Sequence, residues 1–336
     1  MNMTHVLYAL FGLSILSLVL IMVESRVYRL VIYAGVFSLI ISLVYLVLGS
    51  PDVAMAEAAI GAFAIIFFIV VSEKFYGKKF RTVAAEGGSG NKDYKRAPIG
   101  TYVLAALFLG GVGFMFVRFL PTGDAVVHEL GYQLRDAYLY RFQDEIGGQN
   151  PIAAILMSYR IYDTLFEALL LVLAVTAVTQ LSVFPEGGFK TGQDAVIKKD
   201  KIIFYSIRII SPLVLLFGVY LIINGHISAG GGFQGGVAVA AFFICRYMIH
   251  SIYDLDVKKI LRMEEIVFMV LTIVAVVIVF VGADFFVPDT ELGRTIFQNV
   301  YLILANGLVG LKVACGFFII FYRYVAVERR NSEERT

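Results

Sequence analysis

Charge is scarce in this sequence. Only 16% of its 336 residues are Asp, Glu, Lys or Arg, where a soluble domain carries about 25%. Apolar residues make up 59%, and the mean hydropathy is +0.82. The deficit comes from several long apolar runs, each near the roughly 20 residues a helix needs to cross a bilayer. The length is therefore not that of two soluble domains with separate cores. Cysteine is scarce too. Cys245 and Cys315 both fall inside apolar runs, and neither belongs to a CxxC or Cys/His cluster, so no iron–sulfur or zinc framework is legible in this chain. Each reads as a small buried apolar side chain. The net charge of +2 is too balanced to point to nucleic acid. The first run, His5 to Val23, lacks a basic n-region and a small-residue cleavage site, and a second apolar run follows at once. It reads as a retained span and not as a signal peptide.

What is present predicts an all-α, polytopic transmembrane helical bundle of about nine spans. They lie near residues 5–23, 27–48, 53–72, 99–119, 161–183, 202–224, 234–251, 264–283 and 298–324. The seventh is short and led by glycine. An odd count puts the termini on opposite sides, and loop charge sets the orientation. One side carries Arg26, Arg29, the basic residues from Lys74 to Arg96, Lys190, Lys198, Lys199 and Lys201. Arg246, Lys258, Lys259, Arg262, Arg323, Arg329, Arg330 and Arg335 fall on the same side. The other side has Arg118, Arg135, Arg141, Arg160 and Arg294. The positive-inside rule then places the N-terminus outside and the C-terminus in the cytoplasm.

Two polar stretches divide the chain. Lys74 to Pro98, with Gly87, Gly88 and Gly90 near its middle, has the composition of a flexible linker, and Pro185 to Lys201 is the second such stretch. Three blocks are expected: 1–98 with three spans, 99–185 with two, and 186–336 with four. No internal repeat is visible, and blocks of unequal size argue against an inverted-repeat transporter plan. The segment Pro121 to Pro151 carries Asp124, Glu129, Asp136, Asp144 and Glu145 and reads as an external loop, with an interfacial helix as the alternative.

Ionisable side chains inside a membrane are costly, so each needs a reason. Lys312 lies near the centre of the ninth span, about 20 Å from either end at 1.5 Å per residue, too far to snorkel. Its charged form needs a carboxylate or water partner, which suits a proton relay, an electrostatic switch or a structural ion pair. Ser50-Pro51-Asp52 is a good helix start: Ser as N-cap, Pro in the first turn and Asp favoured by the dipole. Asp52 is thus accounted for as a cap, whereas Glu57 lies inside the span. Ala54, Ala58, Gly61 and Ala62 around it make a small-residue face for close helix approach, so Glu57 is expected in a protein interface or a wet cavity. Arg160, Asp163 and Glu167 share one helix face. An Arg160–Asp163 salt bridge at the rim is expected, with Glu167 one turn deeper as the better relay candidate. Arg208 and Asp284 lie near span ends, where water is within reach. The segment from Gly225 to Gly236 formally contains GxGxxG, but a membrane helix precedes it where a dinucleotide site needs a strand. Its glycines suit irregular backbone lining a buried cavity. His226 is a candidate for proton access, as histidine is the side chain suited to proton exchange near neutral pH, set against an ordinary polar contact.

Three stretches carry a family resemblance. Ser50-Pro51-Asp52-Val53-Ala54-Met55-Ala56-Glu57-Ala58-Ala59-Ile60-Gly61-Ala62 resembles the signature of the C-terminal part of MrpA and of the D polypeptide of Mrp-related membrane-bound hydrogenases. Asn150-Pro151, followed by Tyr159-Arg160-Ile161-Tyr162-Asp163-Thr164-Leu165-Phe166-Glu167, resembles the adjoining E polypeptide. Gly225-His226 and Gly230-Gly231-Gly232-Phe233-Gln234-Gly235-Gly236, with Asn306 and Gly310-Leu311-Lys312-Val313, resemble MrpB and the F polypeptide of the hydrogenases. The three occur in order in the three blocks. Ile161 and Phe166 stand where glycine is usual in the family, and Ala229 where proline is frequent.

The resemblance implies an ion-translocating subunit that exchanges Na+ for H+ within a respiratory complex of the prokaryotic plasma membrane. The large antiporter-like part that precedes the first block in MrpA is not seen, which favours a membrane-bound hydrogenase-type complex. A stand-alone Mrp antiporter is the alternative, and a structural spacer between a redox arm and pump modules is a third reading. The implied ion path involves Glu57, Asp163 and Glu167, with Lys312 in the MrpB-like bundle. No cofactor is expected in this chain, which is itself non-catalytic. Iron–sulfur clusters and a nickel–iron centre would belong to partner subunits, the other membrane chains of the complex.

Overall fold

A computed structural model describes residues 3–24, 27–85, 110–111, 136–181, 201–249, 257–281 and 291–333. Among these all regular structure is helical. The long helices are α1 (Met3–Val23), α2 (Val27–Val47), α3 (Pro51–Ala85), α4 (Ile161–Leu181), α5 (Lys201–Asn224), α6 (Gly232–Ile249), α7 (Val257–Val281) and α8 (Glu291–Glu333). Six apolar stretches within them are long enough to cross a membrane: His5–Val23, Arg29–Val47, Pro51–Ile69, Ile161–Gln180, Phe204–Asn224 and Gly293–Arg323. The glycine-led α6 carries a shorter one, Gly232–Arg246. Lys258, Lys259, Arg262, Glu264 and Glu265 occupy the start of α7 and shorten its apolar part. The expected fourth span, 99–119, and the two polar stretches lie mostly outside the described residues.

The bundle is organised around α6 and α8. α6 packs against α5, α8 and α3, while α8 also meets α7, α4, α5 and α3. Glycine permits the α6–α8 contact. A Cβ on Gly232 would fall 2.4 Å from Asn306 O, and one on Gly236 would fall 2.6 Å from Gly310 O. Backbones this close gain dispersion and exclude lipid between the helices, the usual basis of helix association in membranes. α1 packs on α2, and α2 on α3, so this pair flanks the central group.

The same device closes α2 on α3. A Cβ on Gly61 would lie 2.0 Å from Ser38 Oγ. Gly61→Val is therefore expected to push the two helices apart and to cost about 1–3 kcal/mol, as overpacking does. A lowered melting temperature in detergent would show it, and an unchanged one would mean that the helices slide apart freely.

The core is apolar and aromatic. Phe63 stacks edge-on against Phe317 at 4.7 Å between ring centroids, joining α3 to α8, with Val237, Ile244, Leu271 and Leu302 buried around them. Elsewhere large side chains such as Leu170, Ile209, Leu213 and Leu216 are exposed, as lipid-facing positions must be.

Before α4 the chain follows an irregular path that matters for the site. Ala137–Arg141 and Ile155–Tyr159 are π-helical, and Arg160 breaks the helix at φ −123°, ψ 39°. π-helical turns leave carbonyls without their usual partners, and such turns recur at functional sites. Thr164 Oγ1 donates to Leu156 O at 2.7 Å, and the Tyr301 hydroxyl on α8 donates to Met157 O. Tyr159 donates to Glu145; burial, reinforced by that carboxylate, pushes its hydroxyl well above the usual range and keeps it protonated.

Candidate ion path

A buried polar junction begins at Asp52, in the first turn of α3. It is buried, and its Oδ1 accepts from Asn150 Nδ2 at 2.9 Å and from the Gly230 backbone N–H at 3.1 Å. The Gln234 side chain on α6 donates to the Asp52 carbonyl at 3.2 Å. Asp52 does sit where a cap belongs. Its carboxylate, however, serves the segments around residues 150 and 230, so the cap explanation offered by the sequence is incomplete.

Asn150 is the second half of this junction. It is the N-cap of the Pro151–Ala154 turn, with its side chain accepting from Ile152 N at 3.0 Å. Its Nδ2 also reaches Gly225 O at 3.0 Å and Ser228 O at 3.1 Å, so three acceptors share two protons. The backbone N–H groups of Gln149 and Asn150 both donate to His226 O, at 2.8 and 3.0 Å. The three expected blocks thus meet at one set of hydrogen bonds.

His226 is buried, and its Nδ1 lies 2.9 Å from Ile223 O. A carbonyl only accepts, so Nδ1 carries the proton. The backbone carbonyl, more than the ring, ties His226 to the junction.

Beside the junction opens a cleft of about 170 Å³. Its polar walls are Asp52, Thr164, Glu167, Gln234 and Asn306, and Met157 and Val309 are among its apolar ones. Glu167 stands on the open side and is exposed in the isolated chain. Asn306 is 1% exposed, and its Oδ1 accepts from the Gly232 N–H at 3.0 Å.

Deeper in α8, Lys312 is fully buried at 0% exposure and donates to Glu264 of α7, itself at 2%. The ammonium also lies 5.7 Å from the centre of the Phe268 ring. Lys312 thus has the carboxylate partner its burial demands. Glu264 carries no flag in a motif. Its signal is positional: Glu264, Val267, Leu271 and Ala275 are all buried, at i, i+3, i+7 and i+11, while Glu265 is exposed. A carboxylate on the apolar stripe of a helix faces the core.

The remaining candidates are spread out. Glu57 is half-buried against α2, where Ser38 Oγ donates to its Oε1 at 2.7 Å. Asp163 pairs with Arg160 at 2.6 Å, both side chains well exposed, as expected for a rim salt bridge of small energetic weight. Of the residues proposed from sequence for the ion path, the cleft receives Glu167 alone. Asp52 and Asn306 complete it, and Glu57, Asp163, His226 and Lys312 lie outside its walls. No group of three or more metal-ligating side chains occurs among the described residues.

Residues 202–319 match the family described as "Domain related to MnhB subunit of Na+/H+ antiporter". Residues 12–76 match the MbhD family, the D polypeptide of MBH. The chain thus carries an MbhD-like stretch followed by an MnhB-like one, as a fusion of two Mrp-related pieces would. An uncharacterized protein of Methanocaldococcus jannaschii is 28% identical over 252 residues, 65% of this chain and 95% of its own length. The solved Mrp complex of a Dietzia species shares the fold over 93% of this chain, with a TM-score of 0.62 at 19% identity. This chain spans only 34% of that one. A chain of the membrane-bound sulfane sulfur reductase, an archaeal respiratory membrane complex, matches with a TM-score of 0.53 and 26% identity. That match covers 66% of this chain and 96% of the other. With six helices long and apolar enough to cross a membrane, the chain is a multi-pass protein of the plasma membrane. Both MnhB-like hallmarks, the glycine segment and Lys312, fall inside the 202–319 match.

Proposed function

We propose that the fusion is the ion-translocating subunit of a respiratory membrane complex of the membrane-bound hydrogenase type, exchanging Na+ for H+ together with neighbouring membrane subunits. The observation that carries this reading is the Lys312–Glu264 pair, buried whole between α7 and α8. Ionised groups at such depth are expensive and mark ion pathways or switches. An opposite charge arriving or leaving nearby shifts the balance of such a pair, which gives an electrostatic mechanism without a redox centre in this chain. Glu57, Asp163, Glu167 and His226 supply further titratable groups along the bundle.

In this reading the chain crosses the membrane nine times, with its N-terminus outside and its C-terminus cytoplasmic. Block 1–98 corresponds to the D polypeptide of such a hydrogenase, 99–185 to the E polypeptide and 186–336 to the F polypeptide, or MrpB. Iron–sulfur and nickel–iron centres reside in partner chains, and the transported ions are Na+ and H+. The match to almost the whole length of a polypeptide from a respiratory complex favours a redox-driven assembly. The MnhB match supports the second reading, a subunit of a stand-alone Mrp antiporter.

Glu57→Gln and Glu167→Gln are the test, made in the assembled complex in inverted membrane vesicles. Each removes a proton-bearing group without changing shape. Sodium-dependent proton exchange is expected to fall by about 100-fold, the low end for removing a side chain that transfers a proton, while the subunits still co-purify. Unchanged exchange in both variants would remove Glu57 and Glu167 from the ion path, and unchanged exchange in Lys312→Met as well would leave the chain a structural spacer.

A further inference from the structure

One polar group in the cleft is unaccounted for by the hydrogen bonds above. Asn306 Nδ2 is buried and has no hydrogen-bond partner among the described residues. Its amide is not free to turn over, because Oδ1 is held by the Gly232 N–H. The donor end is therefore the unsatisfied one, and a buried donor left unmade costs about 1–3 kcal/mol. Asn306 lines the same cleft as Asp52 and Glu167.

We propose that this cleft is a hydrated proton-carrying site, in which the Asn306 amide holds a water between the Asp52 and Glu167 carboxylates. The chemistry of the donor selects the occupant. An N–H cannot ligate a cation, so whatever touches Nδ2 must accept a hydrogen bond. Water accepts one and keeps two protons to donate to carboxylates. Space and partners suffice. The cleft measures about 170 Å³, well above the roughly 10–15 Å³ that one buried water needs, and such water requires two to four polar neighbours. Both hydrogen bonds to Asp52 land on Oδ1, leaving the carboxylate with acceptor capacity. Thr164 has spent its proton on Leu156 O and can only accept. A hydronium entering from the open side gives its proton to Glu167 and leaves neutral water behind on Asn306. This rests on the reading of Glu167 as part of the ion path and adds Asn306, Asp52 and the water to it.

The test reads hydration without reading transport. In the full chain within its complex, with Cys245→Ala and Cys315→Ala as background, Val309→Cys places a thiol on the cleft wall. The probe is silver ion, a small hydrated cation that blocks thiols against N-ethylmaleimide added after denaturation. The thiol is expected to be blocked at least about tenfold faster than one introduced by Ala275→Cys in the dry core. Adding Asn306→Leu should slow it about tenfold, in keeping with the loss of one buried hydrogen bond. Asn306→Asp should keep it fast, because a carboxyl group still takes the Gly232 N–H and still binds water. If Asn306→Leu does not assemble, Asn306→Ala makes the same comparison. A Val309→Cys thiol as slow as the Ala275→Cys control means a dry cleft and overturns the proposal. Equally fast blocking in the Asn306→Leu background removes Asn306 as the holder and overturns it too. Fast blocking together with unimpaired exchange in Glu167→Gln overturns the proton-carrying role and the reading of Glu167, and leaves water alone. Slow blocking with exchange lost in Glu167→Gln keeps that reading and discards the water site.

Discussion

Lys312→Met alone is expected to destabilise the bundle by about 3–5 kcal/mol, the usual result of leaving one member of a buried ion pair uncompensated. The partner left behind is Glu264, at 2% exposure, which must then hold a proton or pull water into the contact between α7 and α8. The informative variant is the double one, Lys312→Met with Glu264→Met. Replacing both charges by apolar groups of similar volume is often neutral or stabilising. The double variant should therefore recover most of the lost stability in a detergent melt and restore assembly. Sodium-dependent exchange should stay absent in it, because the proposed mechanism needs a charge that responds to its surroundings. A double variant that is stable and transports normally would make the pair structural, and the reading of Lys312 as a switch would fall.

This pair also shows how far the sequence was legible. Lys312 stood out because it lies mid-span in an otherwise apolar run, and the demand for a carboxylate or water partner followed from charge alone. The partner escaped because Glu264 stood at the expected start of the eighth span, beside Glu265, Arg262, Lys259 and Lys258. Charges at a helix start read as solvated, and that holds for Glu265, which is exposed. Treating α7 as a continuous helix from Val257 puts Glu264 on the buried stripe instead. A boundary assignment, not a missing motif, hid the residue.

The role of Asp52 escaped for a different reason. Asp52 had a sufficient local explanation in the dipole at the start of α3, and a satisfied local account gives no sign of partners 98 and 178 residues away. Long-range hydrogen bonds to loop backbone leave no periodic trace in a sequence. The apolar runs, the rim pair Arg160–Asp163 and the small-residue face around Gly61 were all visible, because each depends on spacing within one helix. The six apolar helices follow from the same kind of signal. The glycine segment was read as cavity-lining backbone, and it does border the cleft through Gly230, Gly231 and Gly232.

The junction gives the second large expected effect. Asn150→Ala removes a helix cap, about 1 kcal/mol. It also takes the donor from Asp52, Gly225 O and Ser228 O, where each buried group left short costs about 1–3 kcal/mol. A loss of about 3–5 kcal/mol is expected, because the three acceptors shared two protons and relaxation will recover part of the sum. It should appear as a lower melting temperature in detergent. Asp52→Asn is the contrasting variant. Both hydrogen bonds fall on Oδ1, and an amide oxygen accepts them as a carboxylate oxygen does. The variant should assemble with near-normal stability while removing one of the two carboxyl groups from the cleft, so proton exchange should fall although the fold persists. Were Asp52→Asn to melt as early as Asn150→Ala, the charge itself would be what holds the three blocks together. Asp52 would then belong to the architecture and not to the ion path.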